Sequence, residues 1–381
     1  MAETYTLKEN TILLSVRKLL KTLLETEVVS TILVPVRSEK NRSVMPALIS
    51  DPEEIDNADP LSPCFQLNGA KLVSKLTKKA SDERIAVFLR PCETRALIEL
   101  VKIKQAKIDN LLIISSDCPG AFSNRDFNES AKEKGEEFTD EFLLSRIASS
   151  FLDDMGGKIS TSCRICDNPF PDNADISINL LNSKDGNITI VANSEKGIQV
   201  LSGMDFNSKD DNSAESEERN NQTKKILDAL QQNKKIVFED LYQQTSTISG
   251  LSNYLSLCIN CYNCRVACPV CFCKECVFNT DVFDYEPFQY AAWAKAKGAL
   301  KMPGDTIFFH MTRMIHIGLS CVGCGQCSNA CPNDIPLAEL FKSVGEKAQK
   351  GFDYVPGKSV DDAPPLSIFF EDEFQDVTGI E

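Results

Sequence analysis

Cys258-Ile259-Asn260-Cys261-Tyr262-Asn263-Cys264-Arg265-Val266-Ala267-Cys268-Pro269 spaces its cysteines by two, two and three residues and closes on proline. Cys321-Val322-Gly323-Cys324-Gly325-Gln326-Cys327-Ser328-Asn329-Ala330-Cys331-Pro332 repeats that spacing. Three close thiolates can wrap one cubane, because each loop turn brings the next sulfur onto the same face. The fourth, after a wider gap and before proline, reaches the other cluster in two-cluster ferredoxins. The repeat therefore predicts one [4Fe–4S] cluster on Cys258, Cys261, Cys264 and Cys331, and a second on Cys321, Cys324, Cys327 and Cys268. A lone CxxC pair would leave zinc open, but two full copies with proline in the same place argue against it. In the insert between the copies, 283–297 and 303–318 read as helices. His310 and His316 fall on the second of these. A histidine there could donate to a cluster sulfur, although packing is the plainer reading, as it is for Trp293.

The rest of the composition agrees. Of 381 residues 16 are cysteine and only two are histidine. No signal peptide is visible, so clustered cysteines point to metal rather than disulfides. The net charge of −14 argues against nucleic acid and anionic membranes as partners. No run approaches the roughly 18 to 20 apolar residues of a membrane span, so a cytoplasmic chain without direct membrane insertion is expected. The acidic end reads as a solvated tail, or as a docking segment anchored by Ile368, Phe369, Phe370 and Phe374.

Ahead of the repeat, residues 11–29 carry a helical apolar stripe. Residues 31–36 and 44–49 read as strands. Ile85 to Leu89 is a buried-strand pattern that runs into Pro91-Cys92 and a helix. Leu111 to Ile114 is another, ending near Cys118. Strand–helix–strand order implies a parallel sheet, whose ligands collect beyond the strands' carboxyl ends, where Cys92 and Cys118 fall. Cys163-Arg164-Ile165-Cys166 occupies a turn-rich segment, and 176–181 and 187–191 read as two further strands. The expected fold is an α/β N-terminal domain with a small mixed or parallel sheet, then a mainly helical dicluster ferredoxin-like domain. The expected boundaries are 1–202, a flexible Ser/Asn/Asp/Glu-rich linker at 203–224, the ferredoxin-like domain at 225–345 and an acidic tail at 346–381.

Three segments of the first half carry a resemblance. They are Pro91-Cys92-Glu93-Thr94-Arg95-Ala96-Leu97, Asp117-Cys118-Pro119-Gly120, and Cys163-x2-Cys166-Asp167 followed by Ala174-Asp175-Ile176-Ser177. Ser194-Glu195-Lys196-Gly197 adds an echo. Over residues 11–202 the chain resembles the beta-subunit family of coenzyme F420 hydrogenase and formate dehydrogenase. The resemblance implies a third [4Fe–4S] cluster on Cys92, Cys118, Cys163 and Cys166. Two strand-end thiols and a CxxC loop are compatible with that site, and separate core thiols are the alternative. It also implies an FAD that passes electrons between clusters and the deazaflavin. Family members carry glycines before the first long helix and before Pro-Cys. Here those places read Lys8-Glu9-Asn10-Thr11-Ile12-Leu13-Leu14 and Phe88-Leu89-Arg90-Pro91-Cys92. The flavin stays open, with Arg37 and Arg90 as candidate phosphate contacts.

Cys271, Cys273 and Cys276 remain, and with Cys64 they make a candidate fourth cluster. No nucleophile–base or acid–base constellation is present. The expectation is an iron–sulfur electron-transfer subunit of a formate dehydrogenase- or hydrogenase-linked redox complex, with a heterodisulfide-reductase-like partner as acceptor. The alternative is a flavin oxidoreductase that exchanges hydride with coenzyme F420 or NAD(P)H and feeds the clusters.

Overall fold

Ile85–Phe88 and Leu111–Ser116 are parallel neighbours joined by the helix Pro91–Lys102, as the apolar runs require. The computed structural model describes residues 3–38, 43–79, 82–134, 137–209, 213–280, 285–300 and 305–367. Its sheet has eight strands: β1 (Glu3–Lys8), β2 (Thr31–Arg37), β3 (Val44–Ile49), β4 (Ile85–Phe88), β5 (Leu111–Ser116), β6 (Ile176–Lys184), β7 (Asn187–Ala192) and β8 (Asn207–Lys209). Their spatial order is β3-β2-β4-β5-β6-β7-β1-β8. β2, β4, β5 and β6 are parallel, and the other pairings are antiparallel.

The central stretches of β2, β4 and β5 are continuous apolar runs because both faces are covered. Ile32, Val34, Ala86, Phe88, Leu112 and Ile114 enter one core, with the helices Ile12–Glu25 and Glu137–Ala148. Leu33, Val87, Leu111 and Ile113 enter the other, which continues into the cysteine-rich module through Cys264, Cys268, Phe309 and Phe341. The two modules therefore share a core.

Two expected boundaries are corrected. The stretch 203–224 contains β8 and the start of the helix Ser213–Thr245. Few apolar residues are needed there, because Arg219 clasps the buried Asp117 through two hydrogen bonds of 2.9 and 2.7 Å. Further along, Ile226 and Leu230 enter the first core and Leu241 the second, so the helix spans both. The range 346–381 likewise begins as structure. The helix Leu337–Gly351 runs into it, and the next residues strap back over Pro91–Lys102. The Tyr354 hydroxyl and the Gly357 amide both donate to Glu99 at 2.7 Å, and Arg95 donates to the Pro356 carbonyl at 2.7 and 3.0 Å. Phe369, Phe370 and Phe374 lie outside the described residues, as does Ile368. Among the described residues no helix is long and apolar enough to cross a membrane.

Candidate metal centres

The two cysteine repeats wind alike. In each, the second residue after the first cysteine and the first residue after the second cysteine have left-handed backbone: Asn260 (φ 51°) and Tyr262 (φ 59°), Gly323 (φ 69°) and Gly325 (φ 81°). Two such reversals coil seven residues tightly, which is how three thiols reach one side. Each loop then enters a short helix, Asn263–Ala267 or Gln326–Asn329, that carries the third cysteine.

The thiols of the two copies influence one another. Burial raises the Cys258 thiol, and Cys331 and Cys261 raise it further. Burial pushes Cys264 up to about 11, against Arg313, with Cys258, Cys261 and Cys331 adding to the rise. In the other group burial lifts Cys321, Cys324 and Cys327, and Cys268 adds to the rise at Cys324 and Cys327. Charge acts over short range in such surroundings, and the expected groupings, Cys258/Cys261/Cys264/Cys331 and Cys321/Cys324/Cys327/Cys268, are compatible with these influences.

A third group lies at the sheet's carboxyl edge. Cys92 occupies the first turn of Pro91–Lys102, where helix N-termini favour anions. The turn is fixed by Glu93, which accepts from the Arg90 amide at 2.8 Å and the Gly69 amide at 2.5 Å. Cys118 follows β5, its amide bonded to the Pro169 carbonyl at 2.8 Å. Cys163 sits on the short helix Thr161–Arg164, with Cys166 just beyond. All four line one cavity, together with Arg90, Arg146, Ile226, Leu230 and Cys324. Burial pushes Cys118 up to about 11, while Arg90 opposes the rise. Burial likewise raises Cys92 and Cys166; cluster iron would displace thiol protons on binding, and the guanidinium groups facing the site suit the negative charge that results. The donor set, the cavity and these cations fit a [4Fe–4S] cluster. Among the described residues no three Cys, His, Asp or Glu side chains converge as ligands of a single ion do. Cubane ligands stand further apart, with iron and sulfide between them.

The resemblance motifs include structural residues as well as thiols. Asp175 accepts from the Ile113 amide at 2.8 Å and the Ser194 hydroxyl at 2.5 Å. A Cβ on Gly197 would stand 2.2 Å from the Asp175 carbonyl oxygen, so only glycine fits there.

Other candidates fall elsewhere. Cys64 is buried in the first core, its thiol 3.7 Å from the Val44 carbonyl. Cys271 and Cys276 pack against the second core, and Cys273 is exposed. Cys64 is thus not brought to the trio, because Ser62-Pro63-Cys64 is held at the sheet by Arg90 and by the Phe122 amide. The two arginines offered as phosphate contacts are engaged. Arg37 meets buried Asp59 and Thr139. Arg90 donates to the Ser62 and Cys64 carbonyls at 2.6 and 2.8 Å. His310 Nε2 lies 3.3 Å from Cys258 Sγ, and burial followed by Arg313 lowers this histidine to about 4. His316 is exposed. Arg313, which sequence reasoning passed over, is buried among the cysteines of the repeat.

Comparison with known proteins finds two matching families. Residues 82–217 match the family described as the C terminus of the coenzyme F420 hydrogenase/dehydrogenase beta subunit, and residues 254–335 match the 4Fe-4S dicluster domain. The chain is 28% identical over 371 residues to the F420-dependent formate dehydrogenase subunit beta of Methanocaldococcus jannaschii, covering 92% of this chain and 93% of that protein. It is 28% identical over 376 residues to the F420-dependent formate dehydrogenase 1 subunit beta of Methanococcus maripaludis, covering 92% of each. Among solved structures, a chain of the F420-reducing [NiFe] hydrogenase complex from Methanosarcina barkeri aligns at 15% identity and TM-score 0.46, over 65% of this chain and 94% of that one. In this chain a segment that matches the coenzyme F420 hydrogenase/dehydrogenase beta-subunit family thus precedes a segment that matches the 4Fe–4S dicluster domain.

Proposed function

We propose that this chain is the electron-relay subunit of a redox complex, carrying electrons through three [4Fe–4S] clusters in a fixed spatial order. Clusters would supply one-electron storage at each stop. The order is the Cys92/Cys118/Cys163/Cys166 centre, then Cys321/Cys324/Cys327/Cys268, then Cys258/Cys261/Cys264/Cys331. The observation that carries it is Cys324. This ligand of the middle centre lines the same cavity as the four N-terminal thiols, and next to burial its charge is the largest influence raising Cys92. Exchange of Cys268 and Cys331 makes the other two centres neighbours in turn.

The two ends differ. Cys261 is exposed, and the side chains of Leu257, Ile259 and Val266 around it are exposed apolar groups. That end suits docking to another protein of the complex. The relatives' names suggest the catalytic component of a formate dehydrogenase or hydrogenase as one neighbour, and a heterodisulfide-reductase-like protein is our proposal for the acceptor. Residues of this chain hold thiolates, exclude water and place cations; none performs bond chemistry.

A second reading adds an FAD that splits a hydride from coenzyme F420 or NAD(P)H into single electrons. A cavity of about 450 Å³ beside Cys324 and Cys331, lined also by Arg125, Arg164, Ser160 and Thr161, favours it. Such a volume is in the range of cofactor sites. Anaerobic iron, sulfide and flavin analysis of the intact protein tests both readings. The relay predicts about twelve irons per chain at four per cubane, and about eight would remove the N-terminal centre. Stoichiometric acid-released flavin would establish the second reading.

A further inference from the structure

Arg313 belongs to the helix Thr306–Ile317 in the insert between the repeats. It is only 4% exposed. The ring of Phe341 lies 4.5 Å from its guanidinium carbon and that of Phe309 lies 5.7 Å away. Nη2 donates to the Cys264 carbonyl at 3.2 Å, which fixes the group in place. Nε and Nη1 have no hydrogen-bond partner among the described residues. Buried guanidinium donors rarely stay unpaired.

The surroundings supply a reason. The two rings that flank Arg313 belong to the core that Cys264 and Cys268 enter and against which Cys327 packs. Cys264 belongs to one ferredoxin-type centre, and Cys268 and Cys327 to the other. Lys342, another buried cation near the middle centre, is partly neutralised by Asp167 at 2.9 Å.

We infer that Arg313 is a counter-ion shared by the two ferredoxin-type clusters, its unpaired N–H groups and positive charge raising the reduction potential of both together. Reduction adds negative charge to a cluster, and a fixed cation in a dry site favours that state. One cation between two neighbours moves both potentials in the same direction, which keeps an electron from being trapped on either. Arg313 is a positioning residue in this account. The inference rests on the cubane reading of the eight repeat cysteines.

The test uses the intact protein, isolated anaerobically as wild type, Arg313→Gln and Arg313→Lys. Each is analysed for iron and sulfide and titrated reductively with detection by electron paramagnetic resonance. In Arg313→Gln the reduction equilibrium constant of both clusters should fall at least tenfold, about 59 mV for a one-electron couple. The N-terminal cluster should not move, and Arg313→Lys should lose less than half of the shift. Unchanged potentials with full iron in Arg313→Gln, or a shift in one cluster alone, would overturn the inference. If Arg313→Gln loses iron, a lysine variant with wild-type iron and potentials supports the role of charge, and iron loss in both variants refutes it. Failure of the cubane reading shows separately, as wild-type protein with no iron on the repeat.

Discussion

Replacing Arg219 by methionine tests how the long helix is held over the N-terminal centre. Asp117 is fully buried, and Arg219 meets it through both carboxylate oxygens, at 2.7 and 2.9 Å. Removing one partner of a buried pair costs about 3–5 kcal/mol, because a charge is left stranded. Asp117 keeps the Leu180 amide at 2.8 Å and the Leu181 amide at 3.2 Å, and the Arg219 side chain is 23% exposed. Both facts place Arg219→Met at the lower end, about 3 kcal/mol. With a urea dependence of about 3 kcal/mol per molar, as for larger chains, the midpoint falls by about 1 M. The assay is anaerobic urea unfolding of the intact protein, followed by circular dichroism and by cluster absorbance. Asp117→Asn combined with Arg219→Met should recover part of the loss, since no charge is then stranded. A midpoint within about 0.2 M of wild type for the single variant would refute the reasoning, because clasp removal should cost several times that.

Cys258→Ser and Cys331→Ser should each remove about four irons, and the double variant the same four, because both cysteines serve one cubane; loss of about eight in the double would mean that ligands pair within each repeat. Cys64→Ala should leave the iron count unchanged, and a loss of about four irons would return Cys64 to a cluster. Burial raises the Cys64 thiol above its ordinary value of 9.0, so its contribution to stability is complete below pH 9.0 and is lost as pH rises through the folded value; the midpoint of Cys64→Ala should therefore decline less steeply with pH in alkaline urea titrations than that of wild type. Gly197→Ala should destabilise the sheet by at least about 2 kcal/mol, since a methyl group would meet the Asp175 carbonyl and backbone must move; an unchanged urea midpoint would show the contact relaxes freely.

Much of the molecule could be read from its residues, and the failures share a cause. The apolar strands and the helix after Pro91 follow from spacing and periodicity. The features passed over depend on single polar contacts between distant residues. β1 fully buries only Tyr5, with Leu7 partly buried against the same core, so its alternation is faint. The start of Ser213–Thr245 has the composition of a linker, and only its meeting with Asp117 shows otherwise. Arginine is ordinarily a surface residue, so nothing around Arg313 marks it as interior until the fold surrounds it. Cys64 shows the converse: a cysteine count that divides evenly by four says nothing of which core a cysteine enters.

The strap over Pro91–Lys102 has a consequence for biosynthesis. Glu99 precedes Tyr354 by 255 residues and Gly357 by 258. A chain emerging from the ribosome can assemble its sheet while that carboxylate still faces water. The seal on the interior therefore closes only after the whole sheet has been synthesised, which leaves an interval in which iron and sulfide can be delivered before the protein shuts around them.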